Sequence, residues 1–355
     1  MKKDRYEIIG LMSGTSLDGL DLLACDFYQE KGRWNYTVKA AETIAYPDEW
    51  KARLSRLTQA SGKELACSHA DLGHYLGRCA AAFVQKNHLH PLLVASHGHT
   101  IFHQPERGFT LQIGDGAALA AECGLTVVND FRLTDVALGG QGAPLVPIGD
   151  ELLFPQYDAC LNIGGIANIS FRNEGQRVAF DIAPANQVFN YLAALKGLPF
   201  DRDGRLARKG KVDAACLEKL NALKYYAQPY PKSLGKEWVD AACLPVLKTS
   251  CLSVEDALAT AVEHVAFQIA RVLNDFHIRS LLLSGGGTWN AFLRERLAAM
   301  AAGTQCCIPS EEVVDYKEAL IFAFLGLKRW LGEANCLRSV TGASRDCCGG
   351  ALWLP

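Results

Sequence analysis

The chain has 355 residues, 49% of them hydrophobic, with 36 basic against 38 acidic side chains and a formal net charge of -2. That length exceeds an ordinary single domain and points to two lobes, each with apolar side chains enough for a core. The near-neutral balance gives no electrostatic reason to expect nucleic acid or an anionic membrane as partner, which leaves small molecules as the expected ligands.

The apolar run at the N-terminus stops at Ser13 and Gly14, too short for a signal peptide, and no stretch approaches a membrane span. A cytoplasmic protein is therefore expected. The 13 cysteines are scattered and lack the CxxC pairs of a zinc site, and the neighbours Cys306–Cys307 and Cys347–Cys348 make poor chelates. In a reducing compartment most of them read as small buried hydrophobes, and a metal or redox role is set aside.

In chain order, residues 6–12 and 20–27 read as a β-hairpin and residues 36–44 as a third strand. A helix is expected from about Ser68, with Asp71 closing a capping box and Leu72, Tyr75, Leu76, Cys79 and Phe83 on one face. A short buried strand at 92–96 and a helix within 114–123 follow. The second half repeats the pattern, with strands at 158–163, 169–171 and 177–182. A long helix starts after Ser253 and runs to about Phe276, a strand spans 279–284, and helices span 290–300 and 316–331. Each half thus opens with a glycine-bearing hairpin and continues in alternating strands and helices, which predicts two related α/β lobes with a cleft between them. The irregular GGQGAP stretch suggests a hinge within 130–142. The expected lobes are residues 1–131 together with 332–355, and residues 132–331.

Three glycine turns sit at strand ends. The first runs Ser13, Gly14, Thr15, Ser16, Leu17, Asp18, Gly19, Leu20, Asp21; the second carries Gly164, Gly165 and Asn168; the third carries Gly285, Gly286 and Gly287. Triphosphate binding needs converging backbone N–H groups and a carboxylate facing hydrated Mg²⁺, and the first turn can supply both, with Asp18 or Asp21 as the metal-facing group. Taken alone it is more simply read as a hairpin turn that uses glycine for positive φ. The chain has neither a Walker loop nor a GxGxxG fingerprint. Three such turns divided over two lobes nevertheless fit a nucleotide held between them, and the third precedes a helix whose N-terminus favours anionic groups.

The ordered series GLMSGTSLDGLD (10–21), ASHGHTIFHQP (95–105), QIGDG (112–116), VNDFR (128–132), GGQGAPLVP (139–147), NIGGIANI (162–169), FDRDG (200–204), PKSLGKE (231–237), SGGGTWN (284–290) and KEALIFAFLGL (317–327) resembles that of the anhydro-N-acetylmuramic acid kinases. The resemblance spans about residues 8 to 330. It implies an actin-like (ribonuclease H-like) two-lobe α/β fold with an interdomain nucleotide cleft, ATP and Mg²⁺ as cofactors with Asp18 reaching the metal through water, and often a homodimer. It also implies a double reaction: water adds across the 1,6-anhydro bridge of the sugar, and the released O6 is phosphorylated. A kinase with another sugar or small-acid acceptor, or a non-catalytic nucleotide-dependent switch, are the alternatives.

Hydration of the bridge requires a carboxylate base. Asp181, at the end of an apolar strand, is the candidate; on its residues alone it would first be read as an N-cap for a helix starting near Pro184. The family pattern there is closer to FDTGPGN, whereas this chain has FDIAPANQVFN, with Ile182, Ala183 and Ala185 in place of a hydroxyl and two glycines. His97, Asp115, Asp130, Arg132 and Glu318 are expected on the sugar side, the Arg132 fork being suited to a carboxylate. Core histidines, turn-capping aspartates and a solvated helix charge are the plain alternatives. A zinc site from His97, His99 and His103 is discounted for want of a clear third ligand.

Overall fold

The computed structural model describes residues 5–14, 17 and 19–355. It divides into two compact units, residues 1–154 with 316–355, and residues 155–315.

In the first unit β1 (Tyr6–Ser13), β2 (Gly19–Glu30) and β3 (Arg33–Ala45) form an antiparallel meander. Next to β1, β4 (Leu93–Ser96) runs parallel. β5 (His99–Gln104) and β6 (Phe109–Ile113) form a separate two-stranded ribbon that sequence periodicity did not reveal. β7 (Val127–Asn129) lies parallel to β4, and the C-terminal strand Ala351–Trp353 closes the edge antiparallel to β7. As the central strand, β1 is apolar on both faces, the usual demand on a strand covered from both sides. One face packs Ile9, Leu11 and Leu22 against Leu72, Leu76 and Phe83 of the helix Gly62–Lys86. On the other face residues 316–330 approach closely: a Cβ on Gly10 would lie 1.9 Å from the Ala319 carbonyl oxygen, and one on Gly326 would lie 2.5 Å from the Ala95 Cβ.

The second unit repeats the order. β8 (Ala159–Ile163), β9 (Ile166–Asn173) and β10 (Gln176–Pro184) form an antiparallel meander. β11 (Ser280–Ser284) adds parallel to β8, and β12 (Gln305–Cys307) adds parallel to β11. The helix Val254–Asp275 buries Leu258, Val262, Val265 and Ile269 in a core with Leu161, Leu281 and Leu283. Three antiparallel strands followed by two parallel ones, in the orders β3-β2-β1-β4-β7 and β10-β9-β8-β11-β12, are the ribonuclease H-like arrangement, present twice. No helix among the described residues is long and apolar enough to cross a membrane.

Two expectations shift. The helix expected from Ser68 begins at Gly62, and its N-cap is Ser61, whose hydroxyl accepts from Glu64 N–H at 3.2 Å. The unit boundaries fall at 154/155 and 315/316, not at 131/132 and 331/332. Residues 132–154 stay with the first unit because specific bonds hold them there. Arg132 donates to His97 at 2.9 Å, and the Thr341 hydroxyl donates to Asp135 at 2.7 Å. Lys317 and Asp150 form a buried pair at 2.7 Å. The second boundary coincides with Tyr316, whose φ of -115° and ψ of 18° break the helix Glu311–Trp330.

Replacing Gly10 by alanine should destabilise the protein by about 3 kcal/mol or more, because the methyl meets backbone rather than a movable side chain. Urea unfolding would read this as a lowered midpoint at unchanged slope; an unchanged midpoint would mean that β1 and residues 316–330 separate freely.

Candidate active site

Strand direction decides where the candidate residues end up. In the second unit β8, β10 and β11 all run the same way, so the turn after β8, the end of β10 and the turn after β11 share one end of the sheet. Asp181 stands opposite Asn168, which stands opposite Asn162, a row of three polar side chains across β10, β9 and β8. A register shift between Asp181 and Ala183 marks the irregular end of β10.

Asp181 is not a helix cap. The helix Asn186–Ala194 has Ala185 at its N-cap and no side-chain cap bond. Instead, Leu234 N–H donates to Asp181 Oδ2 at 2.8 Å, Asp181 N–H donates to the Lys232 carbonyl at 3.2 Å, and the Tyr225 hydroxyl donates to the Asp181 carbonyl at 2.6 Å. The PKSLGKE segment is thus what fixes this carboxylate, a role its residue types did not signal. Burial pushes the Asp181 pKa up to about 6, against a smaller opposing pull from the Leu234 N–H.

The second glycine turn is tied to the segment after β10. The Gly165 carbonyl accepts from Ala185 N–H (2.9 Å) and Gln187 N–H (3.1 Å), and the Gly164 carbonyl accepts from Asn186 N–H (3.1 Å). The third turn lies against the end of β8, where Gly285 has φ 80° and a Cβ on it would meet Asn162 Oδ1 at 2.5 Å. It runs into a short 3₁₀ turn, Gly286–Trp289, and Asn290 then caps the helix Ala291–Met300 by accepting from Leu293 N–H at 3.0 Å. The helix expected over 290–300 begins at Ala291, and its first turn is already served by Asn290. Gly286, Gly287, Trp289 and Asn290 border a cavity of about 540 Å³, with Asn186, Phe189, Asn190, Phe200 and residues 201–203 and 205 on its other walls. These aromatic and polar wall residues were not among the expected site residues. Asp201 of FDRDG holds the local chain by accepting from Leu206 N–H (2.8 Å) and Ala207 N–H (3.0 Å).

In the first unit, the parallel run of β1, β4 and β7 collects Ser13, His97 and Asp130 at one end of the sheet. Ser13 is clamped: the Tyr46 hydroxyl donates to its Oγ at 2.8 Å, and Oγ lies 2.9 Å from His99 Nδ1. Burial lowers the His99 pKa to about 4, so that ring is neutral. Gly14 accepts from Leu17 N–H at 3.3 Å, Leu17 has φ 60°, and Gly19 and Leu20 begin β2. Thr15, Ser16 and Asp18 lie outside the described residues. Asp21 accepts from the Thr43 hydroxyl at 2.6 Å.

The His97 ring is defined by its partners. Nδ1 lies 2.9 Å from the Gly98 carbonyl, which can only accept, so Nδ1 carries the proton. Nε2 is then the acceptor for Arg132 Nε (3.2 Å) and Nη2 (2.9 Å). Burial and the Arg132 charge hold the His97 pKa well below its usual range. Arg132 also donates through Nη1 to the Gly142 carbonyl at 2.6 Å; burial lowers its pKa to about 10, with Glu318 the first opposing charge. Glu318 itself is raised by burial, against the pull of Arg132 and Lys317 and with a further push from Asp21. Asp115 caps the helix Gly116–Cys123 through Ala118 N–H (2.7 Å) and pairs with His69 at 3.3 Å. Asp130 has φ 56°, and burial raises its pKa, opposed by His69 and reinforced by Asp115. His69, on a helix with no motif around it, is a member of this group that the sequence did not signal. The three histidines of the HGH region serve separate partners, His103 bonding Thr110 at 3.0 Å.

A family model described as anhydro-N-acetylmuramic acid kinase matches residues 6–355. The chain belongs to this family. It is 38% identical over 364 residues to the anhydro-N-acetylmuramic acid kinase of Gloeobacter violaceus, covering 95% of this chain and 96% of that one. Identity to the enzyme of that name from Shewanella sp. (strain ANA-3) is 37%, covering 98% and 97%. To that of Sulfurovum sp. (strain NBC37-1) it is 35%, with both chains covered in full. At FDIAPAN, Ala183 and Ala185 are fully buried and neither has the positive φ that favours glycine, but Ala185, at φ -119° and ψ -98°, lies outside the strand and helix regions, a backbone that glycine adopts more readily than alanine.

The Asp181 pKa gives a signed prediction. Its folded value near 6 lies above the unfolded value of about 3.9, so folding takes up a proton between those pH values. The buried charge therefore weakens the fold above about pH 6, and the cost fades as pH falls from about 6 to about 4. Asp181→Asn should be more stable than the parent by about 2 kcal/mol near pH 8, with the gap closing in acid. Urea melts at both pH values would measure it, and a gap independent of pH would mean that this carboxylate is not desolvated.

Proposed function

We propose that this chain is an ATP-dependent kinase that hydrolytically opens 1,6-anhydro-N-acetylmuramic acid and phosphorylates its O6, yielding N-acetylmuramic acid 6-phosphate for the recycling of cell-wall sugar. Family membership supports the reaction class. The observation that carries the residue assignment is Asp181, a carboxylate at a strand end that is poised near neutral pH and anchored by one backbone N–H.

Asp181 acts as general base. It takes a proton from water as the water oxygen bonds to the anomeric carbon, and the bond from that carbon to O6 breaks. The O6 electron pair then bonds the γ-phosphorus and ADP departs, so that one water and one ATP are consumed and one proton is released. A base near pKa 6 is charged at neutral pH yet more basic than an exposed carboxylate. The glycine turns at Gly14–Gly19, Gly164–Gly165 and Gly285–Gly287 cradle the nucleotide, with Asn168 beside the second. The cavity edged by Gly286, Trp289 and Asn290 takes the adenosine, whose base is suited to its aromatic walls. Arg132, held by neutral His97 and the Gly142 carbonyl, pairs with the lactyl carboxylate of the sugar. Asp115, Asp130 and Glu318 take sugar hydroxyls. Asp21, whose carboxylate accepts from the Thr43 hydroxyl at 2.6 Å, is a hard oxygen donor that fits Mg²⁺ through water, as does Asp18 by residue type. When bound, Mg²⁺ neutralises phosphate charge.

The test is ADP release with purified protein, ATP and the anhydro-sugar, with identification of the phosphorylated product. Asp181→Asn should lower kcat about 10²–10⁴-fold with KM little changed. In the parent, kcat/KM should fall as pH drops through about 6, where Asp181 becomes protonated and can no longer accept. Full activity in Asp181→Asn would remove the residue from its role. ATP bound but not turned over with any acceptor would favour a nucleotide-dependent switch, and turnover with another acceptor would favour a kinase of different specificity. Arg132→Lys should raise KM for the anhydro-sugar about tenfold while leaving KM for ATP unchanged, since the loss is of one bidentate contact.

A further inference from the structure

Two thiols and a carboxylate outside the assigned groups meet where the C-terminal segment packs on residues 132–142. Cys336 and Cys347 face each other in an isolated antiparallel bridge. They exchange both backbone hydrogen bonds, Cys336 N–H to the Cys347 carbonyl at 3.1 Å and Cys347 N–H to the Cys336 carbonyl at 3.2 Å. In such a pair the Cα atoms stand about 5.5 Å apart, inside the span a disulfide bridges without backbone movement. The two sulfurs and a carboxylate oxygen of Asp135 lie within 4.8 Å of one another, and the Cys336 S–H donates to Asp135 Oδ1 at 3.1 Å. Both cysteines are free thiols, Cys336 2% and Cys347 7% exposed. Sequence spacing hides the pair, since ten residues separate them and the obvious neighbour of Cys347 is Cys348.

We propose that Cys336 and Cys347 form a redox-active dithiol that closes to a disulfide with a hydroperoxide and reopens with a small thiol. Cys347, the more exposed sulfur, attacks the peroxide as thiolate; the O–O bond breaks, and hydroxide leaves and is protonated to water. The resulting sulfenic acid is attacked by the Cys336 sulfur, the S–O bond breaks, and a second water leaves. Two thiols lose two electrons and two protons, and hydrogen peroxide is reduced to two waters; on reopening, one small thiol attacks the disulfide, a second displaces the resulting mixed disulfide, and the two leave as their own disulfide while both cysteines regain their protons. Asp135 Oδ1, already the acceptor of the Cys336 S–H, is placed to take that proton. The hydrogen bond to Cys347, with burial and the adjacent carboxylate, holds the Cys336 thiol up, while the same bond favours thiolate at Cys347.

The disulfide would close residues 337–346 into a ring. That ring carries the Thr341 carbonyl, which accepts from Gln141 N–H at 2.8 Å, and Ser344 N–H, which donates to the Leu138 carbonyl at 3.1 Å. Asp135 Oδ2 accepts from Gly142 N–H at 2.7 Å, and the Gly142 carbonyl receives Arg132. Oxidation thus stiffens the support of Arg132. A closed zinc site is disfavoured because, among the described residues, only three ligands converge there.

The experiment treats the full chain with hydrogen peroxide, alkylates the remaining thiols and maps the peptides, a covalent readout independent of kinase activity. The expected result is a linked pair of peptides containing Cys336 and Cys347, with a melting temperature raised by several degrees and restored by dithiothreitol. Cys347→Ser should abolish the link and the shift. Cys336→Ser keeps a hydroxyl for Asp135, so it should melt like the untreated parent and show no response. Complete alkylation of both cysteines after peroxide, linkage to other cysteines instead, or one zinc per purified chain that Cys336→Ser loses would each overturn the proposal.

Discussion

Strand direction is the constraint from which the rest of each unit follows. Once three strands form an antiparallel meander and two more add parallel to its first strand, the turn after that strand and the ends of the parallel strands must share one edge of the sheet. Ligand groups in open α/β sheets gather at such carboxyl ends, where helix starts and turns leave the backbone accessible. In the second unit this brings Asp181, Gly164 and Gly285 to one end. In the first unit it does the same for Ser13, His97 and Asp130. The glycines serve this geometry in different ways. Gly10 and Gly326 allow close packing far from any turn, whereas Gly285 takes a left-handed backbone where β8 leaves no room for a side chain.

The charged and titratable groups gathered there are governed by withdrawal from water, answered differently in each case. Asp181 has one backbone donor on its carboxylate, which is too little to offset burial, so the group becomes more basic. His97 faces a cation, so burial and charge act in the same direction and the ring stays neutral. A neutral ring with its proton fixed on Nδ1 is a pure acceptor toward Arg132. It orients the guanidinium without competing for the anion that the guanidinium would bind. Both effects need the surrounding side chains and could not be computed from residue order.

What the sequence made legible was therefore periodic or local. The meanders, the buried helix after Ser253 and the glycine turns were all readable from alternation, spacing and caps. The duplicated order also followed from the echo between the halves. What was not legible depended on pairs distant in the chain. Leu234 finds Asp181 across 53 residues, and His69 finds Asp115 across 46, with no spacing rule to announce either. The GGQGAP stretch looked like a hinge because glycine and proline break regular structure. Its boundary status was lost to contacts from the opposite end of the chain, the Thr341 hydroxyl and Gln141–Thr341 backbone bonds among them.

The alanines of FDIAPAN bear on how much family chemistry this chain can retain. A glycine can be needed for its backbone angles or for the room it leaves, and the two needs have different consequences when it is replaced. Neither residue 183 nor residue 185 has positive φ, but Ala185, at φ -119° and ψ -98°, is held off the strand and helix regions, and the backbone donors of residues 185–187 that hold it there are taken up by Gly164 and Gly165. The path of the chain after Asp181 is thus set by hydrogen bonds that do not involve the replaced positions' side chains. Both methyls are completely buried, so they fill the interior of the second unit and do not line its exposed edge. Replacement by a residue with a larger side chain would have had to displace the core. With alanine at both positions, Leu234 N–H still donates to the Asp181 carboxylate at 2.8 Å, and Gly164 and Gly165 still receive the N–H groups of residues 185–187, which is the arrangement the proposed proton abstraction uses.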